Sequence, residues 1–250
     1  MIDGLVFCFG AIFGSFLNVC ITRIPVKKSI ISLPSHCPHC GKQIRVYHNI
    51  PILSYVLLKG QCAYCHWKIP NRYFLVEVLT GLVFLLLYIN FGFQCHFFYY
   101  AVICCIFIVI SFIDLEHQLI LNRVLLFGGV AGATLAISIH TSPFEDLILG
   151  AGIGGGFLLL IAWIGQLLFR KESMGGGDIK YAVLIGSLLG VQGVVITLGI
   201  AIITAAIVGS IYLKVFKIHY LPFGPYLSFG AFAYILYGNK VIDILYVIFS

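Results

Sequence analysis

The sequence predicts an all-α polytopic membrane protein with about eight transmembrane helices and one small, zinc-ribbon-like cytoplasmic loop domain. Three observations carry that reading. Of 250 residues, 61% are hydrophobic and only 10% charged, with a mean hydropathy of +1.07; a water-soluble domain of this size has no interior large enough for so much apolar surface. The apolar residues fall into runs close to the roughly 20 needed to cross hydrocarbon as a helix. The polar residues collect in one stretch, 23–72, and in short connectors.

The runs predict spans at about 4–22, 73–90, 95–114, 121–140, 146–169, 179–190, 193–213 and 224–249. The sixth is short, and the eighth carries Asn239 and Lys240 near its middle. The first run, Leu5–Ile21, has no Lys or Arg ahead of it and no small-residue cleavage site, which predicts a retained span rather than a signal peptide. No internal repeat or low-complexity segment is legible. The expected division is a first helix (1–22), a cytoplasmic four-Cys domain (23–72) and a larger transmembrane domain (73–250).

Orientation follows from the basic residues. Segment 23–72 holds Arg23, Lys27, Lys28, Lys42, Arg45, Lys59, Lys68 and Arg72 and no Asp or Glu. The positive-inside rule places it in the cytoplasm and the N-terminus outside. Alternation then puts 115–120, 170–178 and 214–223 inside, where Arg170, Lys171, Lys214 and Lys217 agree, and 141–145 outside, where Glu145 has no basic neighbour. The net charge of +6 comes mostly from the one loop. Its basic residues lie beside the bilayer, so the expected partner is anionic membrane lipid and not nucleic acid.

Nine cysteines divide into two groups. Cys8, Cys20, Cys95, Cys104 and Cys105 sit in apolar runs, where a thiol serves as a small hydrophobe. Cys37 and Cys40 (CPHC) and Cys62 and Cys65 (CAYC) form two CxxC pairs separated by 21 residues. Two such pairs let four thiolates converge tetrahedrally on structural zinc. The alternative is four free or redox thiols; a cytoplasmic location argues against disulfides. His36, His39, His48 and His66 are candidate substitutes as ligands but read as surface residues. A closed four-thiolate site leaves no open position for catalysis, so its metal is expected to fold the loop.

Acidic groups inside a bilayer are costly and point to function. Glu77, Asp114, Glu116, Asp178 and Asp243 qualify. Asp114 ends the third span in SFIDLEHQ, and Asp178 opens the sixth in GGGDIK. The Lys/Arg topology, which uses neither, puts both at the cytoplasmic boundary. Two carboxyl groups at one site share a proton and can activate water between them, one as general base and one as acid. The glycines at 175–177 let the backbone approach a neighbouring span and an extended substrate. The alternatives are a helix cap for Asp178 and helix packing for the glycines. Glu77 reads as a cap or a partner of Arg72, Glu116 and Glu172 as solvated or as receivers of a basic substrate, and Asp243 as structural.

The stretches FGSFLNVCITRIP (13–25), CPHCGKQIRVYHNIPILSY (37–55), CAYCHWKIPNRYFLVEVLTG (62–81), IDLEHQLILN (113–122), GGGDIK (175–180) and PFGPYLSFGAF (222–232) resemble the type IV prepilin peptidases in family order and across the chain. The resemblance implies a bifunctional enzyme of the inner membrane. It would cut prepilin or pseudopilin leaders on the cytoplasmic side and N-methylate the new terminus with S-adenosylmethionine. It also implies that Asp114 and Asp178 are catalytic, supported by Gly175 and Gly177, and that Cys37, Cys40, Cys62 and Cys65 are the family's cysteine motif. Many members have a Pro where this chain reads Ile120-Leu121-Asn122, a departure expected to touch only the turn into the fourth span. No GxGxxG follows a strand, so the methyl-donor site is expected in 23–72 without named contacts. A transporter would place its carboxylates near mid-membrane, and a zinc-ribbon scaffold would leave GGGD unexplained.

Overall fold

The computed structural model describes residues 2–31, 35–139, 143–170, 174–216 and 221–249. Eight α-helices follow in order: α1 (Ile2–Arg23), α2 (Leu53–Leu57), α3 (Asn71–Phe91), α4 (Cys95–His117), α5 (Asn122–Ile139), α6 (Phe144–Phe169), α7 (Gly176–Phe216) and α8 (Gly224–Phe249). Among the described residues there is no strand beyond two isolated bridges, His36 with Gln43 and Gln61 with Lys68. By length and composition α1, α3, α4, α6 and α7 can each cross a membrane, and α5 is a shorter apolar helix. The chain is thus the all-α polytopic protein its composition predicts. It forms two compact units, one up to Phe93 and one from Gln94 on, so α3 falls with α1 rather than with the later helices.

The helix ends follow local chemistry. Pro70 and Pro143 precede α3 and α6; proline has no N–H to lose at a helix start and its fixed φ suits one. Gly92 closes α3 at φ +59, and Gln118 and Arg170 close α4 and α6 in the left-handed region, the usual conformation just past a helix end.

In the first unit α1 packs on α3 through Gly10 and Gly14. A Cβ on Gly10 would lie 2.9 Å from the Gly81 Cα, and one on Gly14 would lie 2.7 Å from the Glu77 Cα. Lipid supplies no hydrophobic drive for helices to associate, so this close approach of backbones is the attraction.

In the second unit α4 is the most enclosed span. The 41 residues of α7 are broken at Gly190 (φ 72, ψ −172), and the chain doubles back there. A Cβ on Gly154 of α6 would lie 2.6 Å from the Ala182 carbonyl oxygen and 2.7 Å from Val194. Those residues, twelve apart, would be about 18 Å apart along a straight helix, so both halves of α7 pack on one stretch of α6. The spans expected at 179–190 and 193–213 are therefore two arms of one helical hairpin whose turn is a single glycine. The N–H freed at the start of the second arm, on Val191, donates to Asp146 Oδ1 of α6 at 3.3 Å.

A Cβ on Gly186 would collide with the Gly150 carbonyl, whereas one on Gly199 meets nothing within 4 Å. Gly186→Ala is expected to destabilise the protein by about 1–3 kcal/mol, and Gly199→Ala to be neutral or to gain up to about 1 kcal/mol. Unfolding of the detergent-solubilised variants checks both.

Candidate active site and metal centre

Three helix ends of the second unit meet around Asp114. It lies in the last turn of α4 and is 4% exposed. Gly224, which opens α8, donates its N–H to Asp114 Oδ2 at 3.0 Å. A Cβ there would stand 2.7 Å from the same oxygen, so the carboxylate reaches this N–H because residue 224 has no side chain. Asp178, half-buried in the first turn of α7, is an electrostatic neighbour of Asp114. The structure thus brings together the two aspartates singled out from sequence.

The glycines before Asp178 differ in what they do. A Cβ on Gly177 would lie 2.9 Å from Ile120 Cβ, and one on Gly175 would lie 3.2 Å from Asp178 Oδ2, while Gly176 faces open space. Gly177 therefore lets α7 begin against the turn between α4 and α5. Lys180 Nζ donates to Asn122 Oδ1 at 3.1 Å across the same junction. These contacts occupy the Ile120–Asn122 stretch where a proline was expected by resemblance.

One turn beneath the carboxyl groups lies a buried hydroxyl cluster. Ser228 Oγ of α8 is 2.6 Å from Ser111 Oγ of α4 and 2.6 Å from the Tyr181 hydroxyl of α7, and Tyr181 is fully buried. Each of these residues is three or four positions from Asp114, Asp178 or Gly224, so the cluster ties the same three helices in register. None of the three, nor Gly224, stands out in the sequence. Hydroxyls in apolar runs read as ordinary helix residues, although PFGPYLSFGAF contained two of the four positions.

The other acids are placed differently. Glu116 is exposed, Glu172 lies outside the described residues, and so does the side chain of Asp243. Glu77, in the first unit, is buried and accepts the Ile52 N–H at 2.8 Å.

Also in the first unit, the Sγ atoms of Cys37, Cys40, Cys62 and Cys65 all lie within 4.8 Å of one another, and Cys37 Sγ is 3.9 Å from Cys65 Sγ. Among the described residues no histidine joins the cluster: His39 stacks on Trp67, and His48 sits against Tyr47 and Tyr64. The two CxxC turns are copies of one knuckle. Cys37 N–H donates to Lys42 O and Gly41 N–H to Cys37 O, both at 2.9 Å; Cys62 N–H donates to Trp67 O at 2.9 Å and His66 N–H to Cys62 O at 3.0 Å. The bridges 36–43 and 61–68 repeat the same offset. The sequence hid this repeat because Gly41 and His66, which share the positive φ that ends each knuckle, are different residue types. Backbone N–H groups of Tyr64 and Cys65 pull the Cys62 thiol down to about 7, whereas burial and the neighbouring cysteines push the Cys65 thiol up to about 12. This donor set can hold one four-coordinate metal ion.

Residues 8–91 match the model of the bacterial peptidase A24 N-terminal domain, and residues 101–210 match that of the type IV leader peptidase family. Among curated relatives, the chain is 34% identical to the prepilin leader peptidase/N-methyltransferase of Bacillus subtilis over 96% of each chain. It is 30% identical to the protein of that name from Stutzerimonas stutzeri, over 93% of this chain and 89% of that one. With the Myxococcus xanthus protein of that name the identity is 34% over 83% of this chain, and the match spans 62% of the relative's length. No solved structure matches the chain.

Ser228→Ala leaves the Tyr181 hydroxyl buried without its partner and is expected to cost about 1–3 kcal/mol. Adding Tyr181→Phe should cost less than the sum of the single changes, since the two share one interaction; thermal unfolding of the double-mutant cycle measures it.

Proposed function

The chain belongs to the type IV leader peptidase family, and we propose that it is an aspartic endopeptidase that cuts the leaders of type IV prepilins or pseudopilins. The observation that carries this reading is that Asp114 and Asp178 are electrostatic neighbours where α4 ends and α7 begins. One carboxylate takes a proton from water as the water oxygen attacks the scissile carbonyl carbon. The other carboxyl, protonated, donates to the carbonyl oxygen, and collapse of the tetrahedral intermediate returns a proton to the leaving amine. No side chain acts as nucleophile. The Gly224 N–H fixes Asp114 before substrate arrives.

The distribution of Lys and Arg supports a cytoplasmic location for this end of the second unit. A prepilin whose apolar helix lies in the inner membrane would then present its scissile bond at the depth of the carboxyl pair. The names of the relatives support a second activity, transfer of a methyl group to the new terminal amine. The donor would be S-adenosylmethionine, and the amine must be deprotonated and in line with the sulfonium methyl.

The metal of the cysteine cluster would be zinc in a structural role. Zinc–sulfur bonds of about 2.3 Å set tetrahedral sulfurs about 3.8 Å apart, close to the observed 3.9 Å. Four thiolates fill the coordination sphere, so the ion would hold the two knuckles together.

Asp114→Asn and Asp178→Asn should each lower kcat for prepilin cleavage by about 100- to 10,000-fold with zinc content unchanged; normal cleavage by either variant rejects the pair. Elemental analysis of purified protein should find one zinc per chain, and Cys62→Ser should lose it. Metal-free wild-type protein that keeps its fold would reject the structural ion.

A further inference from the structure

Residues 50–57 lie between the two knuckles and serve neither. At Ile52 the chain adopts φ 64 and ψ −55, a region that β-branched residues avoid, and the Leu53 N–H reaches back to the Pro51 carbonyl over 2.6 Å. This is a γ-turn of the strained hand, and such a turn persists only where its surroundings over-determine it. What holds it is the bond from the Ile52 N–H to buried Glu77.

That bond also sets a depth. Glu77 is six residues past Asn71, the start of α3, or about 9 Å along the helix axis. The 21 residues of α3 span about 31 Å, the thickness of the hydrocarbon. Ile52 therefore lies beside the interior of the span and not at its mouth. Tyr55 follows the same wall, its ring 5.3 Å from that of Phe74 and its hydroxyl 2.9 Å from Asn71 Oδ1.

Irregular backbone at membrane depth is tolerated only where protein satisfies its polar groups. Here the Ile50 N–H donates to Ser54 Oγ at 3.0 Å, the Ile52 N–H to Glu77, and the N–H groups of Leu53, Ser54 and Val56 to the carbonyls of Pro51, Ile50 and Ile52. Pro51 has no N–H to satisfy. The side chains face the other way: Ile50, Leu53, Val56 and Leu57 are all exposed, Leu57 at 70%. Most of the N–H groups of this stretch thus have partners within the protein, and its exposed side chains are apolar, which together suit a segment lying in lipid.

We propose that residues 50–57 form a re-entrant segment embedded in the acyl region of the bilayer, with Leu53, Val56 and Leu57 facing lipid chains. The exposed Lys59 that follows suits the anionic headgroups above them. The cysteine loop is then anchored in the membrane by apolar insertion as well as by surface charge, and its attachment survives high salt.

The test uses full-length protein reconstituted in phosphatidylglycerol/phosphatidylcholine vesicles. One reporter is Leu57→Trp in a Trp67→Phe, Trp163→Phe background; the control is native Trp67 in a Trp163→Phe background. Retained metal content verifies the fold of each. Phospholipid brominated near the headgroup end of its acyl chains should quench the Leu57→Trp reporter several-fold more than Trp67, and aqueous iodide should do the reverse. A reporter quenched freely by iodide and untouched by bromolipid overturns the proposal, because the segment then lies in water. Shielding from both quenchers overturns it too, because protein then covers the face. None of these readings depends on prepilin cleavage.

Discussion

A carboxylate buried at the end of a membrane helix needs a donor, since an unpaired charge there costs several kcal/mol or more. For Asp114 the donor is the N–H of Gly224. Much of the second unit is arranged so that this bond can form. The first N–H of α8 must reach the last turn of α4, residue 224 must lack a side chain, and α8 must be held in register with α4 and α7 by the hydroxyls beneath. A helix start is a natural place for such a bond, because its first N–H groups have no partner within the helix.

Glycine makes the surrounding packing close enough. Gly150 and Gly186 bring the backbones of α6 and α7 together, Gly230 brings α8 onto Thr197 of α7, and Gly177 lets α7 start against Ile120. In a bilayer these contacts replace the hydrophobic effect as the source of specificity. The same logic accounts for Gly10 and Gly14 in the first unit.

What the sequence made legible was set by free energies of transfer. Runs of apolar residues and the positions of Lys and Arg report directly on which segments leave water, so the spans could be read even where one helix doubles back at Gly190. That four cysteines with knuckle spacing cluster, and that two aspartates at span ends are neighbours, was readable from spacing and topology, although free thiols and a helix cap were the alternatives. Gly224, Ser111, Tyr181 and Ser228 were not, because their roles arise only when three distant helices meet. The Ile52 turn was invisible for a different reason. No residue preference predicts an isoleucine at positive φ, and its tertiary partner, Glu77, lies 25 residues away.

Three acids in or beside the spans share one task. Glu77 accepts the N–H of Ile52, Asp114 that of Gly224 and Asp146 that of Val191, each where backbone geometry leaves a donor without a helical partner. Their lone pairs are partly committed to holding the fold. The Asp178 carboxylate has no hydrogen-bond donor among the described residues, although it is half-buried beside Asp114. Within the proposed pair, Asp114 is thus the member whose position is fixed by the scaffold. Asp178 stands at the first turn of α7, where the unpaired N–H groups of a helix start favour negative charge. The two acids of the proposed pair are thus held in different backbone environments, Asp114 by the Gly224 N–H and Asp178 by the start of α7.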